Sequence, residues 1–477
     1  MKVKIVLPVA LGIGLSTIIG CSYHKSNEKP KPNVLFIIVD DLRPELGCYG
    51  VKAHTPNIDK LANEGILFER AYCNVPVCGA SRASLLTGIR PTKNRLLNYD
   101  SSAEKDFPEA VTLPALFKRN GYYTIARSKV FGFPDDSEYS WDELWSPIDT
   151  AFFWRDYALP ENHRKDSIDG FNHGSLPYEC ADVNDTVYFD GKTINRAMID
   201  LQKLKLRQQP FFLAVGLRKP HLPFNSPKKY WDLYDRSQFS LPLNYRVEKT
   251  SIPGFAFHNS EELQQYDGVS KTGHVSDSTA ISLIHGYYAS VSYVDALIGK
   301  LLDELDNQKL RENTVIVLIG DNGFNLGEHG MWSKHCNFNT SLHTPLIVSV
   351  PNIKGGKTTR SITEYLDIYP TLCELAKINP PAQLEGISFV PVLNDPEASV
   401  KNYAVSKWLN GTTLIYENYF YTEWRNDNDS VYSRMLFDHS KDPNENNNIA
   451  EKPEVANLVK DLFSKLMQYR GVNFFDD

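Results

Sequence analysis

Three short, wholly apolar runs constrain this chain more than any other feature: Val34–Val39 (VLFIIV), Phe211–Leu217 (FFLAVGL) and Val315–Ile319 (VIVLI). A run that is apolar at every position has both faces covered, which is the pattern of a buried parallel strand. Leu346–Val350 (LIVSV) reads as a fourth. Between them lie segments of helical spacing. Asn57–Glu64 follows Pro56 and stops at Gly65, Leu113–Asn120 stops at Gly121, and Tyr365–Ala376 is another. Ser282–Asp306 is the longest, with Val294, Leu297, Ile298, Leu301, Leu302 and Leu305 at helical intervals. Strands alternating with helices predict an α/β domain, with a mostly parallel sheet sandwiched by helices.

The composition shifts near residues 394–402. Beyond it, Thr412–Tyr421 and Val431–Asp438 read as antiparallel strands and Pro453–Arg470 as an amphipathic helix. We therefore expect a main domain at 33–399 and a smaller antiparallel α+β subdomain at 400–477. The Asp/Asn-rich loop Ser440–Asn448 reads as a solvated turn. At the other end, Lys2 and Lys4 precede an apolar stretch, Ile5–Ile19, too short for a comfortable membrane span. With Gly20-Cys21 behind it, this resembles a bacterial lipoprotein signal. The resemblance implies a leader at 1–20, lipidation of Cys21, a tether at 21–32 and a membrane held through the lipid. The alternative is an ordinary cleaved signal peptide. Either predicts an exported protein, in the periplasm or at the outer membrane.

The chain carries 58 acidic and 51 basic residues, a net charge of −7. Nucleic acid is therefore not an expected partner, and an anionic substrate needs a local basic pocket. Seven cysteines, with no CxxC pair and no zinc spacing, are too few for a disulfide framework in a chain of 477 residues.

In open α/β sheets, ligands bind beyond the carboxyl ends of the strands. The first apolar run is followed by Asp40-Asp41, the second by Arg218-Lys219-Pro220-His221, and the third by Gly320-Asp321-Asn322-Gly323. A lone Asp after a strand commonly caps the next helix. Two adjacent aspartates with an Asp-Asn pair instead offer four oxygen-bearing side chains: Asp40, Asp41, Asp321 and Asn322. Hard cations such as Ca²⁺ or Mg²⁺ take oxygen ligands of this kind.

Val77–Pro91 reads VCGASRASLLTGIRP. Its Cys78-Gly79-Ala80-Ser81-Arg82 core and Thr87-Gly88-Ile89-Arg90-Pro91 tail closely resemble the signature of the type I sulfatases, C-x-(P or A)-S-R followed by T-G-x-R-P. The resemblance continues through NVLFIIVDD (33–41), HTPNIDKL (54–61), GDNGFNLGEHGMWSK (320–334), HTPL (343–346), LDIYPTL (366–372), LEGISFVPVL (384–393) and YFYTEW (419–424). GYYTIARSKVF (121–131) and FFLAVGLRKPHLPF (211–224) are similar to the iduronate-2-sulfatase branch.

Membership implies an alkaline-phosphatase-like α/β domain and hydrolysis of sulfate esters. It implies that a maturation enzyme oxidises Cys78 to Cα-formylglycine. It also implies one Ca²⁺ held by Asp40, Asp41, Asp321 and Asn322, with residue 78 itself as a further ligand. The hydrated formylglycine would attack sulfur through one geminal hydroxyl, and its second hydroxyl, on losing its proton, would expel sulfate. Arg82 would hold residue 78 from behind, Lys129 and Lys334 would grip sulfate oxygens, and His221 would protonate the departing sugar oxygen.

One departure stands out. The family places a histidine two or three residues after the lysine matching Lys129, and here Phe131 and Gly132 occupy those places. The base for sulfate release is left among His329, His335 and His343, or to the metal-acidified hydroxyl with a weaker partner. The branch resemblance implies a sulfated glycosaminoglycan substrate, namely the 2-O-sulfate of a terminal, unsaturated uronic acid of heparin, heparan or chondroitin. Its carboxylate needs a cation, from Arg164 and Lys165 or from Arg218 and Lys219. Two rivals share the framework: a formylglycine-dependent phosphonate or phosphodiester hydrolase, and a non-catalytic binder of sulfated glycans.

Overall fold

Asn33–Val39 (β1) is buried at every position, as a run apolar on both faces must be. The computed structural model describes residues 1, 3, 30–150, 155–169, 175–246, 251–258, 260–272 and 274–469. The expected leader, Cys21 and nearly all of the expected tether lie outside them. From Lys31 onward the described residues form one compact unit.

Eight further strands join β1 in the main sheet: Ile66–Tyr72 (β2), Tyr123–Ser128 (β3), Glu143–Trp145 (β4), Phe211–Leu217 (β5), Thr314–Gly320 (β6), His343–Ser349 (β7), Lys357–Thr359 (β8) and Thr363–Glu364 (β9). Their spatial order is β8-β2-β7-β6-β1-β5-β3-β4, with β9 also pairing with β2. β6, β1, β5, β3 and β4 are parallel, while β7 runs antiparallel to both its neighbours.

Helices cover both faces: Pro56–Glu64 (α1), Cys78–Thr87 (α2), Leu113–Arg119 (α3), Phe189–Leu206 (α4), Asp277–Asn307 (α5) and Ile368–Ala376 (α6). Period-two alternation divides β1 between them. Leu35, Ile37 and Val39 pack with α1, α4 and α5, whereas Val34, Phe36 and Ile38 pack with α2, α3 and α6. Helix α5 begins earlier than its apolar spacing predicts, because the Ser276 hydroxyl caps it by accepting the Thr279 N–H.

The C-terminal segment forms a separate antiparallel sheet of Tyr403–Trp408 (β10), Gly411–Tyr416 (β11), Tyr419–Arg425 (β12) and Val431–Asp438 (β13). Thr412–Tyr421, expected as one run, is a hairpin, turned at Glu417 in the left-handed region (φ 51). One face of this sheet, through Val405, Leu414, Tyr421 and Leu436, takes Leu462 and Leu466 of the last helix, Ala456–Tyr469 (α7). The other, through Ala404, Ile415, Phe420 and Phe437, packs on Tyr72, Met331, Phe338 and Leu342.

The register decides where the polar residues emerge. Val39 lies level with Leu217 and Gly320, and Ser128 lies level with Gly216. The next residue of each strand is Asp40, Arg218, Asp321 and Lys129, so all four leave the sheet along one edge.

Candidate active site

Cys78 is the first residue of α2, directly beyond that edge. The helix is buried along its whole length and ends at Gly88 in the left-handed region (φ 71). Its first turn presents backbone N–H groups and the positive end of the helix dipole toward Cys78, but burial outweighs the pull of Lys129 and raises the thiol above its ordinary range. Arg82 follows one turn later on the same face. Its guanidinium is fully buried: Nε donates to Asp321 Oδ2 at 2.7 Å, Nη2 lies 3.6 Å from Asp40 Oδ1, and Nη1 donates to the carbonyls of Lys129 and Val130. Arg82 thus ties the ends of β1, β3 and β6 to the helix that carries Cys78.

Two lysines complete the floor. Lys129 Nζ donates to Asp40 Oδ2 at 2.6 Å and lies 3.4 Å from Cys78 Sγ. Lys334 Nζ donates to Asp41 Oδ2 at 2.8 Å and pairs with Glu262 at 3.2 Å. His221 Nδ1 lies 2.7 Å from the Leu222 carbonyl, which only accepts, so Nδ1 carries a proton and Nε2 faces the floor. Nε2 stands 3.1 Å from Glu262 Oε1 and 3.8 Å from Asp41 Oδ2.

Left-handed backbone at non-glycine residues clusters here: Asp41 (φ 58), Ser128 (φ 62), Ser333 (φ 73) and His335 (φ 72). Each costs on the order of 1 kcal/mol or more and aims a functional neighbour, Lys129 after Ser128 and Lys334 between Ser333 and His335.

The electrostatics follow from burial and sign. Burial raises the Asp40 carboxyl, but Lys129, His221, Arg82 and Lys334 outweigh it and hold Asp40 well below the carboxylate range. Asp41 and Asp321 rise to about 6, because burial exceeds the pull of Lys334 on one and of Arg82 on the other. Glu262 is raised by burial yet held down near 2 by Lys334, His221 and His335. Burial, with Lys334, pushes His221 down to about 4, so near neutral pH the ring keeps only its Nδ1 proton and Nε2 must gain one before it can donate.

The oxygen donors suit a hard cation. Asp40 Oδ1 and Asn322 Oδ1 are buried and have no hydrogen-bond partner. Ligand atoms of Asp40, Cys78 and Asp321 all lie within 4.8 Å of one another. Asp41 is locked to the same cluster, its N–H donating to Asp321 Oδ1 at 3.0 Å and its Oδ1 accepting from Asn322 Nδ2 at 2.8 Å. Buried like charges beside unpartnered oxygens are the surroundings that a divalent ion stabilises. Asp41, His221 and Glu262 form a second such group, but the Lys334 ammonium already bonds two of its three members.

Cys78, Lys129, His221 and Lys334 line the base of a cavity of about 600 Å³. Tyr99, Phe131, Phe133 and Ile148 give it an apolar wall, and Arg218 adds a cation. The other residues expected at the substrate lie elsewhere. Arg164 and Lys165 are exposed on the helix Pro160–Asp169, outside the cavity lining, and Lys165 lies 3.9 Å from Asp267. Lys219 is buried, with its ammonium turned to the carbonyls of His221 and Pro223.

Of the three histidines considered for sulfate release, only His335 lines the cavity, stacked on Trp408 at 5.1 Å. His329 bonds Asn244, and His343 bonds the Glu69 carbonyl. Of the two places for the family's histidine, Phe131 lines the cavity wall, and at Gly132 a Cβ would lie 2.9 Å from Gly79 Cα, so a side chain there would press on the residue after Cys78. Glu262 escaped the sequence reading. It stands on the short helix Glu261–Gln264, in a polar stretch that follows no strand and carries no motif.

A family profile described as Sulfatase matches residues 32–378. The chain belongs to the sulfatase family. It is a sulfuric ester hydrolase. A second profile, described as N-sulphoglucosamine sulphohydrolase, C-terminal, matches residues 327–471 of this sulfatase. Iduronate 2-sulfatase from Homo sapiens is 33% identical over 422 residues, covering 80% of this chain and 76% of its own. Among solved structures, a 2-O glycosaminoglycan sulfatase superposes with a TM-score of 0.70 at 24% identity, over 92% of each chain. The phosphonate monoester hydrolase of Agrobacterium radiobacter gives 0.73 at 21% identity, over 92% of this chain and 95% of that one. The fold is thus the alkaline-phosphatase-like α/β sandwich with an appended antiparallel sheet, shared by hydrolases of more than one ester class.

Proposed function

We propose that this sulfatase removes the 2-O-sulfate of a terminal, unsaturated uronic acid from heparin, heparan or chondroitin saccharides, using formylglycine at position 78 and one Ca²⁺. The carrying observation is the convergence of Cys78, Lys129, Lys334 and His221 at the base of one cavity that also admits Arg218. Similarity to the iduronate 2-sulfatase of Homo sapiens supports the uronate reading.

Asp40, Asp41, Asp321 and Asn322 would hold the ion, which when bound supplies positive charge to sulfate oxygens and acidifies a hydroxyl on residue 78. Lys129 and Lys334 neutralise the remaining sulfate oxygens in a site largely closed to water. The hydroxyl of residue 78 would form its bond to sulfur as the bond from sulfur to the sugar oxygen breaks; His221, protonated on Nε2 in the substrate complex, delivers that proton to the departing oxygen, and the proton freed by the attacking hydroxyl restores the balance. The second hydroxyl of residue 78 then loses its proton and expels sulfate, restoring the aldehyde. Arg82 keeps residue 78 and the carboxylates in register. Arg218 meets the uronate carboxylate, and the apolar wall faces the sugar ring. We also propose that a maturation enzyme generates the formylglycine, and that the protein is exported and anchored through lipidated Cys21.

The test uses matured protein and unsaturated heparin disaccharides bearing one sulfate each, separated by chromatography after incubation. Loss of the 2-O-sulfate alone is the expected result. Its persistence while another sulfate is lost would overturn the regiochemistry. Mass spectrometry of the peptide spanning residue 78 reads the aldehyde on the same sample.

A further inference from the structure

The segment from Arg218 to Pro223 carries His221 with no regular structure of its own beyond β5. What holds it is a buried ammonium. Lys219 is 5% exposed, and its Nζ donates to the His221 carbonyl at 3.2 Å and to the Pro223 carbonyl at 2.6 Å. The Leu222 carbonyl lies between these two along the chain and receives His221 Nδ1 at 2.7 Å. The oxygen that orients the imidazole is thus bracketed by the two oxygens that Lys219 grips.

The start of the segment is held as well. Asp190, in the first turn of α4, accepts the N–H of Arg218 on Oδ1 and the N–H of Lys219 on Oδ2, both at 2.8 Å. A further turn closes between the His221 N–H and the Arg218 carbonyl at 3.0 Å. A charged ammonium this deep is expensive to desolvate, and two carbonyls with the nearby carboxylates of Asp156 and Asp190 offset part of that cost only while the segment keeps this shape. An apolar side chain would fill the same space without fixing where the carbonyls point.

We propose that Lys219 is a positioning residue for the general acid: its buried ammonium, with Asp190, sets the carbonyl that orients the His221 imidazole toward the leaving oxygen. The inference rests on His221 as proton donor and not on the identity of the natural sugar.

The test separates positioning from mere stability by leaving-group dependence. A series of phenyl sulfates runs from 4-nitrophenyl, which departs without a proton, to 4-methoxyphenyl, which needs one. Wild-type, Lys219→Met and His221→Ala proteins are assayed on the whole series. Ratios between substrates within one preparation do not depend on how much of it is folded. For Lys219→Met the expected loss in kcat is about 10-fold or more on 4-methoxyphenyl sulfate and under about 3-fold on 4-nitrophenyl sulfate, steepening the leaving-group slope in the same sense as His221→Ala. Should Lys219→Met yield no folded protein, Asp190→Asn carries the same expectation at about 3-fold or more on the poorer leaving group. A steepened slope in His221→Ala with a parallel one in the Lys219 or Asp190 variant overturns the positioning role alone. A parallel slope in His221→Ala overturns the general-acid assignment, and the inference with it.

Discussion

The proposed sulfated uronate would bring two anionic groups into a cavity lined by Glu262 and by two lysines that already pair with the buried Asp40 and Asp41. Lys129 and Lys334 are each already paired with a carboxylate, so the second anion needs Arg218. Arg218→Ala should raise KM for the 2-O-sulfated disaccharide about 10-fold, the worth of one partly screened ion pair, and leave kcat/KM for 4-nitrophenyl sulfate within about twofold. Steady-state assays on both substrates check this, and equal losses would place Arg218 outside the uronate contact. Position 78 is the complementary case. On the proposed formylglycine chemistry, a side chain that cannot become an aldehyde loses the nucleophile yet removes few packing atoms. Cys78→Ala should lower turnover by more than about 1,000-fold while holding the thermal midpoint within about 2 °C, read by assay and calorimetry on one sample.

At the scale of elements, the site depends on how closely β3 and β5 approach. Gly216 has no side chain where the chain leaving β3 crosses over it, and a Cβ there would stand 1.8 Å from the Lys129 carbonyl. Gly216→Ala must displace that carbonyl, which also accepts from Arg82, and should cost about 1–3 kcal/mol in denaturant unfolding together with most of the turnover. The apolar strands made much of this edge legible in advance. Asp40, Asp41, His221 and Asp321 each follow a run whose burial its composition dictates. Lys129 was placed by motif alone, since Tyr123–Ser128 carries Thr124, Arg127 and Ser128 within the strand and does not read as apolar. Ile66–Tyr72 escaped for the same reason, with Glu69 and Arg70 at its centre. Glu262 and His335 were harder still, because loops and packing between distant segments bring them to the cavity, and no local pattern encodes that.

The molecule as a whole is joined by a buried polar knot between the signature segment and the C-terminal sheet. Glu364 accepts from Arg90 at 2.5 and 2.7 Å, from Lys401, from the Asn74 amide and from the Val405 N–H. Burial raises Glu364, but Arg90 and Lys401 outweigh it and hold the carboxyl near 2, below its ordinary 4.5. A carboxyl depressed by folding contributes stability above its unfolded pKa and loses it as pH falls toward the folded one. Glu364→Gln should therefore destabilise strongly at neutral pH, by about 3–5 kcal/mol, as expected when one member of a buried charged set is removed. The gap to wild type should narrow between about pH 4.5 and pH 2, and a constant gap across that window would show that the charge is not what matters.

Stability linkage also tests for a cation at the active-site carboxylates. Asp41 and Asp321 are raised to about 6 by burial, so folding confines negative charge that an ion binding only the folded chain would stabilise. Free Ca²⁺ at about 100 times its dissociation constant adds about 2.7 kcal/mol, which for a chain of this length moves the midpoint by about 3 °C. Calorimetry in Ca²⁺ and in excess chelator should show that difference in wild type and lose it in Asp40→Asn. Identical midpoints in wild type would remove the ion from these four residues.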